Sequence, residues 1–159
     1  MGYVEEMRKL IGTRTLIMPG VRAVIRDDAG AVLLQLRGDF NIWGLPAGGM
    51  ELDESVQDAV RREVFEETGL TVVRARPFGF YSDPRYGFSY PNGDRTQPFT
   101  VAFLVEEWTG SLVADGDESL DLRFFPLDGL PPPEQMHAPH RTTLLDFQRF
   151  LATGDLIVD

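Results

Sequence analysis

Residues 48–70 read GGMELDESVQDAVRREVFEETGL, and the spacing predicts a helix from Val56 to Thr68 that carries Glu63, Glu66 and Glu67 within about one turn of each other. Side chains three and four apart are neighbours on a helix, so Glu63 repels both Glu66 and Glu67 by a few tenths of a kcal/mol per pair. At about 100° per residue, Val56, Val60 and Val64 form one apolar stripe, with Glu67 inside it and Glu63 at its edge. A merely solvated acidic face would lie on the opposite side, where Gln57, Asp58, Arg61 and Arg62 fall. Carboxylates at the margin of a buried face need a cation or a hydrogen-bonding partner, because an unpaired buried charge is costly. Magnesium or manganese fits that need, since hard cations prefer oxygen ligands.

Local punctuation supports the helix. Ser55 with Asp58 three residues on has the form of a capping box, and Gly69 is a natural left-handed stop. The chain enters the helix from the loop Pro46-Ala47-Gly48-Gly49.

The run resembles the Nudix box, written G-x5-E-x7-R-E-U-x-E-E-x-G-U with U apolar: Gly48, Glu54, Arg62, Glu63, Val64, Glu66, Glu67, Gly69 and Leu70 fill every specified position. From average residue usage, the chance of such a match in a chain this short is about 10⁻⁷. Trp43-Gly44-Leu45-Pro46 resembles the usual lead-in, and Ala47 stands where many members have a first glycine. Pro-Ala-Gly resembles the variant of ADP-ribose and nucleotide-sugar hydrolases. The resemblance implies an α/β/α sandwich with a mixed sheet between helices, and hydrolysis of a phosphoanhydride with Mg2+ or Mn2+. It also implies that Glu63, Glu66 and Glu67 ligate the metal together with the carbonyl of Gly48. Arg62 then orients a box glutamate, and Glu54 secures the junction between loop and helix.

Composition agrees with this class. The 159 residues suffice for one domain with its own core, with residues 1–18 as a short helix-and-strand extension. The absence of cysteine excludes disulfides and thiolate metal sites. No stretch has the length and apolarity of a membrane span, and the charged start MGYVEEMRKLIG is unlike a signal peptide, so a soluble cytoplasmic protein is expected. Fifteen basic against 25 acidic residues give a net charge of −10, which disfavours duplex nucleic acid as a partner. A small anionic nucleotide remains compatible once metal ions cancel the local field.

The remaining pattern alternates strands and helices. Tyr3–Ile11 reads as an amphipathic helix and 15–18 as a short strand broken by Pro19-Gly20. Residues 21–26 and 31–37 read as strands of a hairpin, and 71–81 and 97–107 as longer strands. Asn92-Gly93 marks a tight turn, 122–125 a last strand and 142–151 a closing helix. Mixed order with two main helices predicts an α/β fold with helices on both faces of a sheet.

Members of the family often take a further carboxylate from a late loop as general base. Asp115-Gly116-Asp117-Glu118 resembles that loop, and Glu118 is the choice, with Asp117 and Asp121 as neighbours able to take the role. Arg37, at its strand end, is a candidate for substrate phosphate or a surface arginine. Tyr81 and Tyr86, with Phe88 and Tyr90, form either an aromatic wall for a nucleobase or, by the alternation at 86, 88 and 90, one face of a strand. Trp43 is expected to pack beneath the loop. His137 and His140, beside prolines, are expected to cap or lie on the surface. Pro84 and Tyr86 both fall where the family's ADP-ribose and dinucleoside polyphosphate hydrolases carry their markers, so that position does not decide the substrate. Pro-Ala-Gly favours ADP-ribose or a nucleotide sugar. Nucleoside triphosphates are the competing substrate, and a non-catalytic nucleotide-binding module the competing class. A homodimer through residues 3–18 is a further expectation.

Overall fold

In the computed structural model, which describes residues 2–159, the elements follow as α1 (Tyr3–Ile11), β1 (Leu16–Ile25), β2 (Val32–Arg37), β3 (Trp43–Gly44), β4 (Ala47–Gly49), α2 (Val56–Thr68), β5 (Leu70–Tyr81), β6 (Phe88–Ser89), β7 (Arg95–Gly110), β8 (Ser119–Phe125), α3 (Ala138–Thr153) and β9 (Ile157–Val158). One sheet has the order β4-β1-β7-β5-β9, with β6 paired to the start of β7. It is mixed: β1 runs parallel to β7, and β5 antiparallel to it. A second, smaller sheet is antiparallel, in the order β3-β2-β8.

Alternation along β1 and β7 builds two cores. Val21, Ala23 and Ile25, with Val101, Phe103 and Val105, pack against Ala59, Val60 and Val64 of α2. Val24, Ala102 and Leu104 face the other way, onto Leu144, Phe147 and Phe150 of α3. Side chains of a strand alternate between faces, so two strands with no polar face must be covered on both. The helices on opposite sides of the mixed sheet are the α/β arrangement expected from the sequence.

Several local expectations are corrected. The strands at 21–26 and 31–37 do not form a hairpin. The Asp27–Gly30 turn closes, but the two strands meet only at an Arg26–Val32 bridge and then enter different sheets. Both edges of β1 are already taken, by β4 and β7. Pro19-Gly20 does not break β1, because the proline sits where the β4 ladder ends, the kind of position at which a missing N–H is tolerated. The last predicted strand starts earlier, at Ser119, and the closing helix earlier, at Ala138. Strand β9 had no counterpart in the reading of the sequence. Helix α1 forms as predicted and buries none of its residues. Among the described residues, no helix is long and apolar enough to cross a membrane.

Phe147 lies fully buried between Phe78 and Phe150, with ring centroids 5.2 and 6.4 Å away. Phe147→Ala is expected to lower the unfolding free energy by about 3–5 kcal/mol, read as a shift in the denaturation midpoint at unchanged slope.

Candidate active site

Helix α2 is fixed at both ends by its own sequence. The Ser55 hydroxyl accepts from the Asp58 N–H and the Asp58 carboxylate from the Ser55 N–H, the predicted capping box. Gly69 closes the helix at φ 75°, and its N–H donates to the Phe65 carbonyl. The orientation so imposed buries Val60, Val64 and Glu67 together, as the stripe required.

Glu67 is only 5 % exposed, and its carboxylate accepts the Ala47 N–H at 2.8 Å. Burial pushes its pKa up to about 8, against the hydrogen bonds from Gln35 and Ala47 that favour the ionised form; nearby Glu63 adds to the rise. Glu63 is raised as well, first by burial, with its bond from Arg62 acting the other way. Gly48 lies against Glu63 so closely that a Cβ there would stand 2.1 Å from the carboxyl carbon. A side chain at 48 would have to displace the Glu63 carboxylate.

Arg62 gathers the acidic groups. Its guanidinium donates to both oxygens of Glu54 at 3.0 and 2.7 Å, to Glu63 at 2.7 Å, to Glu66 at 3.1 Å and to the Gly49 carbonyl at 2.9 Å. Glu54 in turn accepts the Glu51 N–H at 2.7 Å, so it joins loop to helix. The Arg62 bond, partly offset by burial, holds the Glu54 carboxyl below its ordinary range.

Glu63 and Glu67 line a cleft of about 520 Å³ with Gly48, Arg37, Asp117 and Glu118. The loop carrying Glu118 is held against the end of β2. The Gly38 N–H donates to the Glu118 carbonyl at 2.9 Å, and a Cβ on Gly38 would meet the Asp117 carbonyl at 1.9 Å. Thus Asp117 and Glu118 share the cleft, whereas Asp121 turns away to pair with Arg123 at 2.8 Å. Glu66 does not line the cleft either: its side chain is 54 % exposed on the Arg62 side. Among the described residues, no three carboxylates or imidazoles converge on one ligand point. The donor set still suits a hard cation, because two desolvated carboxylates face the cleft, and its one arginine, Arg37, is already engaged by Asp39 at 3.0 and 2.7 Å.

A larger cavity of about 890 Å³ shares Arg37, Asp39, Ala47 and Gly48 with this cleft. Tyr81 and Tyr86 line it, with ring centroids 6.1 Å apart. Tyr86 ends a 3-10 turn (Pro84–Tyr86) instead of lying in a strand, so 86, 88 and 90 are not one face of a strand; Phe88 and Tyr90 pair edge to face at 4.7 Å. Trp43 packs, as expected, edge-on against Phe125 at 5.0 Å. The histidines differ from expectation. His140 is buried, its Nδ1 accepting the Leu45 N–H at 3.0 Å, and burial holds its pKa well below the ordinary value. His137 begins α3 without a side-chain cap, and burial lowers it to about 4. Both are neutral and line the cavity. Arg22, at the cavity floor, was not singled out in the sequence; its signal is an arginine inside the apolar run from Val21 to Ile25.

Residues 16–147 match the NUDIX domain, and the chain belongs to the Nudix family. The ADP-ribose pyrophosphatase of Methanocaldococcus jannaschii is 29 % identical over 151 residues, which cover 92 % of this chain and 83 % of that protein. The NAD-capped RNA hydrolase NudC of Actinobacillus succinogenes is 33 % identical over 130 residues, 76 % of this chain; the chain spans less than half of that protein, 46 %. The crystal structure of a MutT NUDIX hydrolase from Burkholderia pseudomallei superposes with a TM-score of 0.69 at 28 % identity, covering 82 % of this chain and 97 % of that one.

Because burial raises Glu67 from its ordinary 4.5 to about 8, the folded state holds this proton more tightly than the unfolded chain does. Stability is therefore intact below about pH 4.5 and is lost as pH rises towards 8. Glu67→Gln removes that loss. Without added divalent cation, its melting temperature is expected to exceed that of the parent by about 5 °C or more at pH 8.5. The gap should close as pH falls to 5; thermal unfolding across this range reads it.

Proposed function

We propose that this chain is a metal-dependent hydrolase that cleaves a phosphoanhydride bond in a nucleoside diphosphate linked to another group, of the class of ADP-ribose and nucleotide sugars. The observation that carries the reading is the adjacency of the two spaces: the acidic cleft shares Arg37, Asp39, Ala47 and Gly48 with a cavity of about 890 Å³, within the range that holds small-molecule ligands. The wide overlap with the ADP-ribose pyrophosphatase of M. jannaschii supports the same class.

In this reading Glu63, Glu67 and the Gly48 carbonyl would hold Mg2+ or Mn2+, and Glu66 would join them on turning from Arg62. The ion, when bound, neutralises phosphate charge and makes water a better nucleophile. Arg62 positions Glu63 and Glu66 through the bonds it donates to both. Glu118, in the cleft beside Glu63, takes the proton of the water as it attacks phosphorus, and the bond from phosphorus to the bridging oxygen breaks. Arg37 faces the bridging phosphates where the two spaces meet, and Tyr81 and Tyr86 line the nucleoside side. Cysteine is absent, in keeping with a cytoplasmic location.

A panel of ADP-ribose, nucleotide sugars, dinucleoside polyphosphates and nucleoside triphosphates, assayed with magnesium and with manganese, tests the class. Release of a nucleoside monophosphate from the diphosphate-linked substrates is expected. Pyrophosphate from triphosphates would move the assignment to triphosphate hydrolysis, and binding without turnover to a nucleotide-binding module. Glu67→Gln is expected to abolish turnover while the protein remains folded.

Glu118→Gln should slow kcat by about 10² or more, with a smaller effect for Asp117→Asn. The opposite order in steady-state kinetics would transfer the base to Asp117.

A further inference from the structure

Strand β2 reads Val-Leu-Leu-Gln-Leu-Arg, and the glutamine inside that apolar run, Gln35, is 1 % exposed. Alternation puts Leu33, Gln35 and Arg37 on one face, where Leu33 shares a core with Val60 and Val64 of α2. One step along, the row turns polar at Gln35, as the helix stripe does at Glu67. The Gln35 amide donates to the Glu67 carboxylate and, at 3.4 Å, to the Leu45 carbonyl; its oxygen accepts the Ser119 hydroxyl. The Leu45 carbonyl can only accept, so Nε2 must face it and Oε1 must turn to Ser119, whose hydroxyl is then the donor. Ser119 is fully buried too, and it reaches this face only because the β2–β8 ladder slips by one residue. Gln35 pairs with Leu122 and Leu36 with Asp121, but Arg37 pairs with Ser119 instead of Leu120. Regular pairing would put Leu120 in this row and aim Ser119 the other way; the bulge leaves Leu120 46 % exposed.

Resting on the metal reading above, we infer that Gln35 is the positioning residue of the metal carboxylate: it holds Glu67 together with the Ala47 N–H, and Ser119 fixes which way its amide points. Strands β4 and β2 belong to different sheets, so the two donors tie Glu67 to both. A carboxylate has about four acceptor sites, and two donors leave the others free for a cation. Ligating carboxylates are ordinarily oriented by such outer hydrogen bonds. Gln35 also lines the acidic cleft with Glu63 and Glu67. Ser119 directly follows Glu118, whose carbonyl accepts the Gly38 N–H, so one buried chain runs from the metal carboxylate to the loop of the proposed base.

The test measures Mn2+ affinity without nucleotide, by the electron paramagnetic resonance of free Mn2+, which needs no turnover. Gln35→Met, which keeps the length without the donor, is expected to weaken binding about 10- to 100-fold, and Ser119→Ala by a smaller factor. The double variant should lose no more than Gln35→Met alone, because Ser119 acts through the amide. In steady-state kinetics the Mn2+ concentration for half-maximal rate should rise in step, with kcat largely recovered at saturating Mn2+. A lowered melting temperature with unchanged Mn2+ affinity would make the amide a packing group and overturn the inference. Losses that multiply in the double variant would overturn it too. Ser119→Ala removes a single oxygen, so unchanged affinity there is decisive against the inference even if Gln35→Met does not fold. Glu67→Gln separates the two readings. If it leaves Mn2+ affinity intact, Glu67 is no ligand and the inference falls with that assignment. If it weakens binding while Gln35→Met and Ser119→Ala do not, the metal assignment stands and the positioning role alone fails.

Discussion

The 2.8 Å bond from the Ala47 N–H to the Glu67 carboxylate joins the two parts on which everything else depends. One partner belongs to a three-residue strand, the other to a helix on one face of the mixed sheet. The bond stabilises a carboxylate that burial otherwise opposes, and it fixes how close β4 comes to α2. With that spacing set, any side chain at Gly48 would push the Glu63 carboxylate out of its place in the cleft. The acidic character of the helix thereby becomes a property of a cleft instead of a solvated face.

Charge in the molecule is divided by location. The chain is acidic overall, at −10, yet the groups that line the larger cavity include Arg22, Arg37 and Arg85 and two neutral histidines. The carboxylates that matter gather on the other side of Ala47 and Gly48, where Arg62 spreads one positive charge across Glu54, Glu63 and Glu66. An arrangement of this kind separates an acidic lining from an arginine-bearing one by the width of one strand, while the surface as a whole repels polyanions.

What the sequence disclosed follows the range of the forces involved. Helix α2 was legible to the residue because its cap, its stripe and its glycine stop act within four residues of one another. The supposed hairpin failed although its turn is real, because partner choice for β1 is decided by β7, some 80 residues away in the chain. Pro19 misled for the same reason, since its tolerance depends on where β4 ends. Glu63, Glu67 and Gly48 could be placed in one site from the motif, whereas the turning of Glu66 toward Arg62 reflects side-chain choices made in three dimensions. His137, His140 and Arg22 escaped notice or were misplaced because their burial comes from packing between α3 and the sheet, to which no local pattern testifies.

The ladder between β1 and β4 spans only three residue pairs, Gly20–Gly49, Val21–Gly48 and Arg22–Ala47. That short rung set carries the cleft on one strand and the cavity floor on the other, so the interval between them is written in backbone geometry. Replacing side chains alters which chemical group is held at either end, but not the gauge. A molecule that engaged both ends would be measured against that backbone interval.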